Sequence, residues 1–263
     1  MNKIICLILL FVPFMLVAQH TQGEAKYKET VKLEIKLPPE MEAQMKDQIP
    51  KERSFPRVLY FNQEASLYKN GEVSEEDRRG PGGGHWQGRG GGGMRVNMRM
   101  SRPENRMYKN LADGTVVEQR DFMDKKFLID GEVEKFSWKL AMEQKEIGGY
   151  TCQKAKYSDT SMSVEVWFTP QIPVSTGPGK LGGLPGLILE ANYNDGKRLV
   201  VMEEINFEEP NSEEFVQPKK GKKVTHEEFK AIQKEKMEEM RKEMGGGPGG
   251  GAHGGNMIII RSN

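Results

Sequence analysis

In one short run after another along this chain, apolar side chains fall on every second residue, and no long helix separates the runs. From Ala25 to Leu37, the residues Tyr27, Val31, Leu33, Ile35 and Leu37 share one parity, with charge between most of them. Alternation of that kind turns one face of an extended strand to a core and the other to water. Strand-like runs recur at Arg57–Lys69, Met94–Ser101, Asn105–Leu111, Thr115–Met123 and Lys126–Ile129. Asn70-Gly71, Asp113-Gly114 and Asp130-Gly131 punctuate them as turns, and Phe136, Trp138 and Leu140 share a face within Glu134–Met142. Gly149–Tyr157 and Met162–Thr169 read as a hairpin around Ser158-Asp159-Thr160. Leu187–Tyr193 and Arg198–Phe207 read as another around Asn194-Asp195-Gly196. Parallel pairing needs crossovers of a dozen or more residues, which these connections lack. The expected fold is mostly β: one curved antiparallel sheet of roughly eight to ten strands, bent into a partial barrel or sandwich.

Two helices are expected beside the sheet. Pro38-Pro39 opens a short N-terminal one in which Met41, Met45 and Ile49 recur every four residues until Pro50. Thr225-His226-Glu227-Glu228 is a capping-box sequence that opens a charged C-terminal helix running to about Met244. Glycine gathers in two tracts, nine of fourteen positions in Gly80–Gly93 and eight of eleven in Gly245–Gly255. Both tracts predict flexible loops, and the chain outside them has an ordinary globular composition. At the amino terminus, Lys3 precedes an apolar stretch from Ile4 to Val17 with the small-residue exit Leu16-Val17-Ala18. That is the pattern of a secretory signal peptide, too short to span a bilayer. A lipoprotein signal would place a cysteine at the end of the apolar run, whereas Cys6 lies near its start.

The organisation expected is a signal peptide at 1–18, an antiparallel β domain at 19–210 carrying the glycine-rich loop 80–93, and a C-terminal region at 211–263. That last region holds the helix, the second glycine tract and an edge strand at Met257–Ile260. Signal cleavage leaves Cys152 without a partner for an intrachain disulfide. It also removes one lysine from a chain of formal charge +1. The neutral remainder has no overall electrostatic drive toward nucleic acid or anionic lipid.

The densest signature lies between two strands. Val166-Trp167-Phe168-Thr169-Pro170-Gln171-Ile172-Pro173-Val174-Ser175 is followed by Gly177-Pro178 and then by Gly183-Leu184-Pro185-Gly186-Leu187-Ile188. Leu184-Pro185-Gly186-Leu187 carries proline and glycine at the two central positions of a type II turn, and Pro170, Pro173 and Pro178 stiffen the loop before it. This segment, with Gly149-Tyr150-Thr151-Cys152-Gln153-Lys154-Ala155 upstream, resembles the GLPGLI family of secreted Bacteroidetes proteins. The resemblance implies a secreted or periplasmic, mostly β protein of uncharacterised family function, and it supplies no catalytic residues. The chain departs from the family pattern at Gln171 and at Gly179-Lys180-Leu181.

Chemistry-bearing patterns are sparse. No Gly-x-Ser-x-Gly, His-Glu-x-x-His, phosphate loop or cysteine-pair zinc spacing occurs. Cys152 sits mid-strand, away from any histidine in a confident element, which makes it a small core residue rather than a nucleophile. The expected function is non-enzymatic and cofactor-free: an envelope protein that binds a partner through the rigid loop residues Pro170, Pro173, Gly177, Pro178, Gly183, Leu184, Pro185 and Gly186. One alternative is a carrier that shelters an apolar ligand in a concave sheet. A second is copper or another metal held by His85, Met94, Met98, Met100 and His253, whose thioethers and imidazoles suit cuprous ion. An exposed apolar patch around Ile172, Leu181 and Leu184 would favour the docking reading.

Overall fold

The computed structural model describes residues 20–33, 51–72 and 104–243. The strands are β1 (Gly23–Lys32), β2 (Glu52–Phe61), β3 (Ala65–Asn70), β4 (Arg106–Asn110), β5 (Thr115–Phe122) and β6 (Lys125–Glu132), then β7 (Lys139–Ile147), β8 (Tyr150–Ser158), β9 (Ser163–Thr169), β10 (Leu187–Tyr193), β11 (Arg198–Asn206) and β12 (Lys222–Val224). One helix, α1 (His226–Glu243), follows. The strands form a single open sheet in the order β12-β6-β5-β4-β3-β2-β1-β11-β10-β9-β8-β7. The mostly β class and the single antiparallel-dominated sheet agree with the sequence reading. The N-terminal helix at 38–50, the Met94–Ser101 strand, both glycine tracts, the edge strand at 257–260 and the signal peptide lie outside the described residues.

Three local expectations are corrected. Arg57–Lys69 is not one strand but the end of β2, a tight turn and most of β3. The Asn62 side-chain oxygen accepts from the backbone N–H groups of Glu64 and Ala65 at 2.9 and 2.7 Å, which makes the turn without glycine. Asp130-Gly131 is not a turn. Asp130 and Gly131 stay in β6 opposite Val117 and Val116. Phe136 and Trp138 precede the strand rather than forming it, and β7 begins at Lys139 with Leu140 and Met142 exposed. Basic Lys222 and Lys223 belong to β12, which pairs with β6 in parallel, the one parallel pair of the described sheet. The described strand count is therefore twelve rather than eight to ten.

Register explains where the core sits. On one face, Ala25, Tyr27 and Glu29 of β1 lie opposite Leu59, Arg57 and Phe55 of β2, while Tyr27 and Glu29 also lie opposite Met202 and Val200 of β11. The same face continues through Tyr68 and Ser66 of β3 to Met107 and Lys109 of β4. Tyr68 joins one apolar cluster with Ile147 of β7, Cys152 of β8 and Val166 of β9, strands far along the sheet order. Residues 133–138 alone link β6, second in that order, to β7 at its far end, a reach of about 25 Å against about 48 Å across a flat sheet, so the sheet curls.

The opposite face of β2–β4 carries its own small core. Val58, Tyr60 and Leu67 pack there with Tyr108 under Phe215, and Tyr60 donates a 3.0 Å hydrogen bond to Glu214. Phe229 of α1 packs on Phe127, Ile129 and Val224. The helix starts with the reciprocal cap read from sequence: Glu228 N–H donates to Thr225 Oγ1 at 3.1 Å and Thr225 N–H to Glu228 Oε2 at 2.7 Å.

Candidate functional site

Between β9 and β10, residues 170–186 run across the interior of the curled sheet. Backbone bonds of 2.8 Å from Val174 to Ile172, Thr176 to Val174 and Gly186 to Leu184 each span two residues. They set Pro173, Ser175 and Pro185 at the centres of tight three-residue turns. Ile172, Val174, Thr176, Gly177, Pro178, Leu181, Leu184 and Gly186 are buried, while Pro170, Gln171, Pro173, Ser175, Lys180, Gly183 and Pro185 are exposed. The exposed apolar patch that Ile172, Leu181 and Leu184 were to form is absent, because all three point into the core at 0–3% exposure. Of the eight loop residues singled out from sequence, Pro170, Pro173, Gly183 and Pro185 reach the surface.

The Pro185-Gly186 corner also differs from the expected type II turn. Gly186 does not adopt a positive φ. Its glycine is required by proximity instead, since a Cβ there would lie 2.1 Å from the Thr169 carbonyl oxygen and 3.0 Å from Pro170 Cα.

Side chains from three other parts of the chain hold this loop. Ser66 of β3 and Thr176 share a buried hydroxyl–hydroxyl bond of 2.8 Å. Trp138 Nε1–H donates to Gly182 O at 2.8 Å. Lys109 of β4 donates from Nζ to Gly177 O at 3.2 Å and Leu181 O at 2.7 Å. Lys109 is 1% exposed, and its burial pushes the ammonium pKa down to about 7. A cavity of about 200 Å³ borders it, lined in part by Glu118, Glu134, Lys180 and His226. That volume falls below the roughly 300 Å³ at which drug-sized ligand pockets begin, and its walls carry charge. The loop thus occupies the space that an apolar cargo would need.

Lys109 was not singled out from sequence, although a signal existed: it shares the parity of Met107 and Leu111, so a charge lies on the inward register. The departure at Gln171 has a structural use, since its side-chain oxygen accepts from Thr151 N–H at 2.9 Å. Cys152 is buried in β8, where burial raises its thiol pKa to about 11. Native protein is expected to leave Cys152 unmodified by a water-soluble disulfide reagent on a timescale at which urea-unfolded protein reacts fully; rapid native labelling would contradict the buried placement. Of the other histidines described, His20 stacks on Phe207 at 3.9 Å, and burial, then the Lys180 charge, lowers the pKa of His226. Among the described residues no group of three or more His, Cys, Asp or Glu could hold a metal. The proposed copper ligands His85, Met94, Met98, Met100 and His253 all lie outside the described residues.

Residues 96–230 match the family model described as N-glycanase peptide, N-terminal domain. Two solved structures of PNGF-II, in the C2 and P21 space groups, share the fold at 16% identity with TM-scores of 0.54 and 0.53. They cover 81% of this chain, which in turn covers 32% and 33% of theirs. The chain thus spans about a third of the length of those structures. No curated protein matches it.

Proposed function

Because this chain belongs to the N-glycanase peptide N-terminal domain family, we propose that it acts as a non-catalytic binding module, one that presents the outer edge of loop 170–186 to a protein partner. The observation that carries the reading is the division of the loop into two faces. Its inner face is tied to Ser66, Lys109 and Trp138, and its outer face leaves Pro170, Pro173, Gly183 and Pro185 exposed on a fixed backbone. A contact surface ordered before binding loses little entropy when a partner arrives. The family name connects this module to N-glycanases, so a polypeptide that works on or beside glycoproteins is the partner class we favour.

The setting is secreted or periplasmic in this reading, supported by the charged start, apolar stretch and Leu16-Val17-Ala18 exit. The motif from Val166 to Ile188 supports placing the chain with the GLPGLI proteins as well. Nucleic acid is not a partner in this proposal, nor is an apolar ligand, since the loop and core side chains fill the concave face.

The test is site-specific photo-crosslinking in the native host, with the crosslinker at position 173 or, as a control, at Lys223 on β12. A discrete adduct from position 173, lost in Pro170→Glu/Pro185→Glu protein whose melting temperature stays within about 3 °C of wild type (about 1 kcal/mol), is the expected result. Adducts that are equal from both positions, or unchanged in the double variant, overturn it.

A further inference from the structure

A second polar cluster interrupts the inner face where β1, β2, β3, β10 and β11 come together. Glu29 is on the register that elsewhere carries Ala25 and Tyr27, and its carboxylate is only 9% exposed. It accepts from Arg57 Nε at 2.5 Å, and Arg198 Nε lies 3.1 Å from its other oxygen. Arg57 also donates to the Asn70 side-chain oxygen. Arg198 lies over the ring of Tyr193, with its guanidinium carbon 4.3 Å from the ring centroid.

Two features are left unresolved by these contacts. The two guanidinium groups face one carboxylate, so one positive charge has no counterion within the cluster. Two buried donors also lack an aligned acceptor: Arg198 Nε, whose approach to Glu29 is close but poorly directed, and the Tyr68 hydroxyl. Tyr68 is nine-tenths buried, and the charges of Glu29, Arg57 and Arg198 all act on it. A buried donor without an acceptor is destabilising, so an arrangement with surplus donors and surplus positive charge is chemically suited to an incoming acceptor. The cluster is not sealed, for the side chains of Arg57 and Arg198 remain 22% and 30% exposed. Loop 170–186 comes close to it: a Cβ on Gly179 would stand 3.9 Å from Arg198 Nη2.

We infer that Arg57, Arg198 and Tyr68 form a binding site for a small oxyanion, a carboxylate or phosphate group, which Glu29 orients by holding the two guanidinium groups. Planar guanidinium edges present paired N–H donors at the spacing of carboxylate and phosphate oxygens. The inference stands apart from the docking role proposed for the outer edge of the loop, since it concerns the opposite, inward-facing register.

Isothermal titration calorimetry of the full chain with sodium phosphate and, separately, sodium acetate, at ionic strength fixed with chloride, tests it. Saturable binding of at least one anion is expected, weakened about tenfold in Arg198→Gln and several-fold in Tyr68→Phe, with Lys223→Gln as an unaffected control. Saturation by phosphate alone assigns a phosphoryl ligand, and saturation by both assigns a carboxylate-sized one. Tyr68→Phe removes a single unpartnered hydroxyl, so it keeps the test decisive even if Arg198→Gln unfolds. The absence of saturable heat with either anion, or binding equal in wild type and Tyr68→Phe, overturns the site.

Discussion

Gly186→Ala is expected to lower stability by about 3 kcal/mol or more, the upper part of the range for overpacking a tight interior. The added methyl would meet the Thr169 carbonyl oxygen at 2.1 Å, its carbon at 2.6 Å and Pro170 Cα at 3.0 Å. All three are backbone atoms, so no side-chain rotation relieves the clash. Relief requires the β9 end to part from the start of β10, where Thr169 and Leu187 are paired. For a domain of this size such a loss corresponds to a fall of roughly 6–12 °C in melting temperature. Pro185→Ala, one residue earlier, is the matched control. Pro185 is exposed, and its substitution acts mainly through the entropy of the unfolded chain, about 0.4–1 kcal/mol. Thermal and urea melts of both variants separate the cases. A Gly186→Ala protein within about 1 kcal/mol of wild type would mean that the loop shifts freely and is not the fixed element described above.

That glycine illustrates what the sequence could and could not disclose. Pro185-Gly186 marked a sharp corner correctly, but its turn type depended on Thr169, a strand neighbour that only the folded chain brings within reach. Elements whose signals are local were legible. The β10–β11 hairpin announced itself through Asn194-Asp195-Gly196, all three at positive φ, and α1 through its capping box. Elements governed by their surroundings were not. β7 is an edge strand whose alternating Leu140 and Met142 lie in solvent and whose alternation stops at Glu143, so the pattern read within Glu134–Met142 did not mark the strand's bounds. Its clear local signal was the Gly148-Gly149 turn, both residues at positive φ. β2 and β3 merged because apolar side chains occupy both faces there, Leu59 toward the main core and Val58 and Tyr60 beneath Phe215. The polar residues of the interior were visible as anomalies. Glu29 and Lys109 each place charge on an inward parity, yet their partners, Arg198 and the carbonyls of Gly177 and Leu181, lie far along the chain.

Lys109 yields the second large effect, in the dependence of stability on pH. In the unfolded chain its amine titrates near 10.5, whereas in the folded protein burial brings it to about 7. Between those values the unfolded state binds more protons than the native one, so stability rises with pH. Below about pH 7 both states are protonated, and the folded protein bears the whole cost of a buried ammonium whose only described acceptors are two carbonyl oxygens. From pH 7 upward that cost is relieved with a slope approaching 1.4 kcal/mol per pH unit. The rise is therefore largest between about pH 7.5 and 9.5. Above that interval the buried tyrosines oppose it: burial raises the pKa values of Tyr27 and Tyr68, and their unfolded forms ionise first. Urea unfolding at half-unit steps over this interval measures the slope. Lys109→Met cannot titrate there, so its profile is expected to be flatter than wild type by about one proton's worth of slope, whatever its absolute stability. The neighbouring charges of Glu118, Glu134, Lys180 and His226 remain in both proteins, so the difference between the two profiles isolates the lysine. Parallel profiles would show that Lys109 is solvated in solution, and the tether between β4 and the proline-glycine loop would then have to be abandoned.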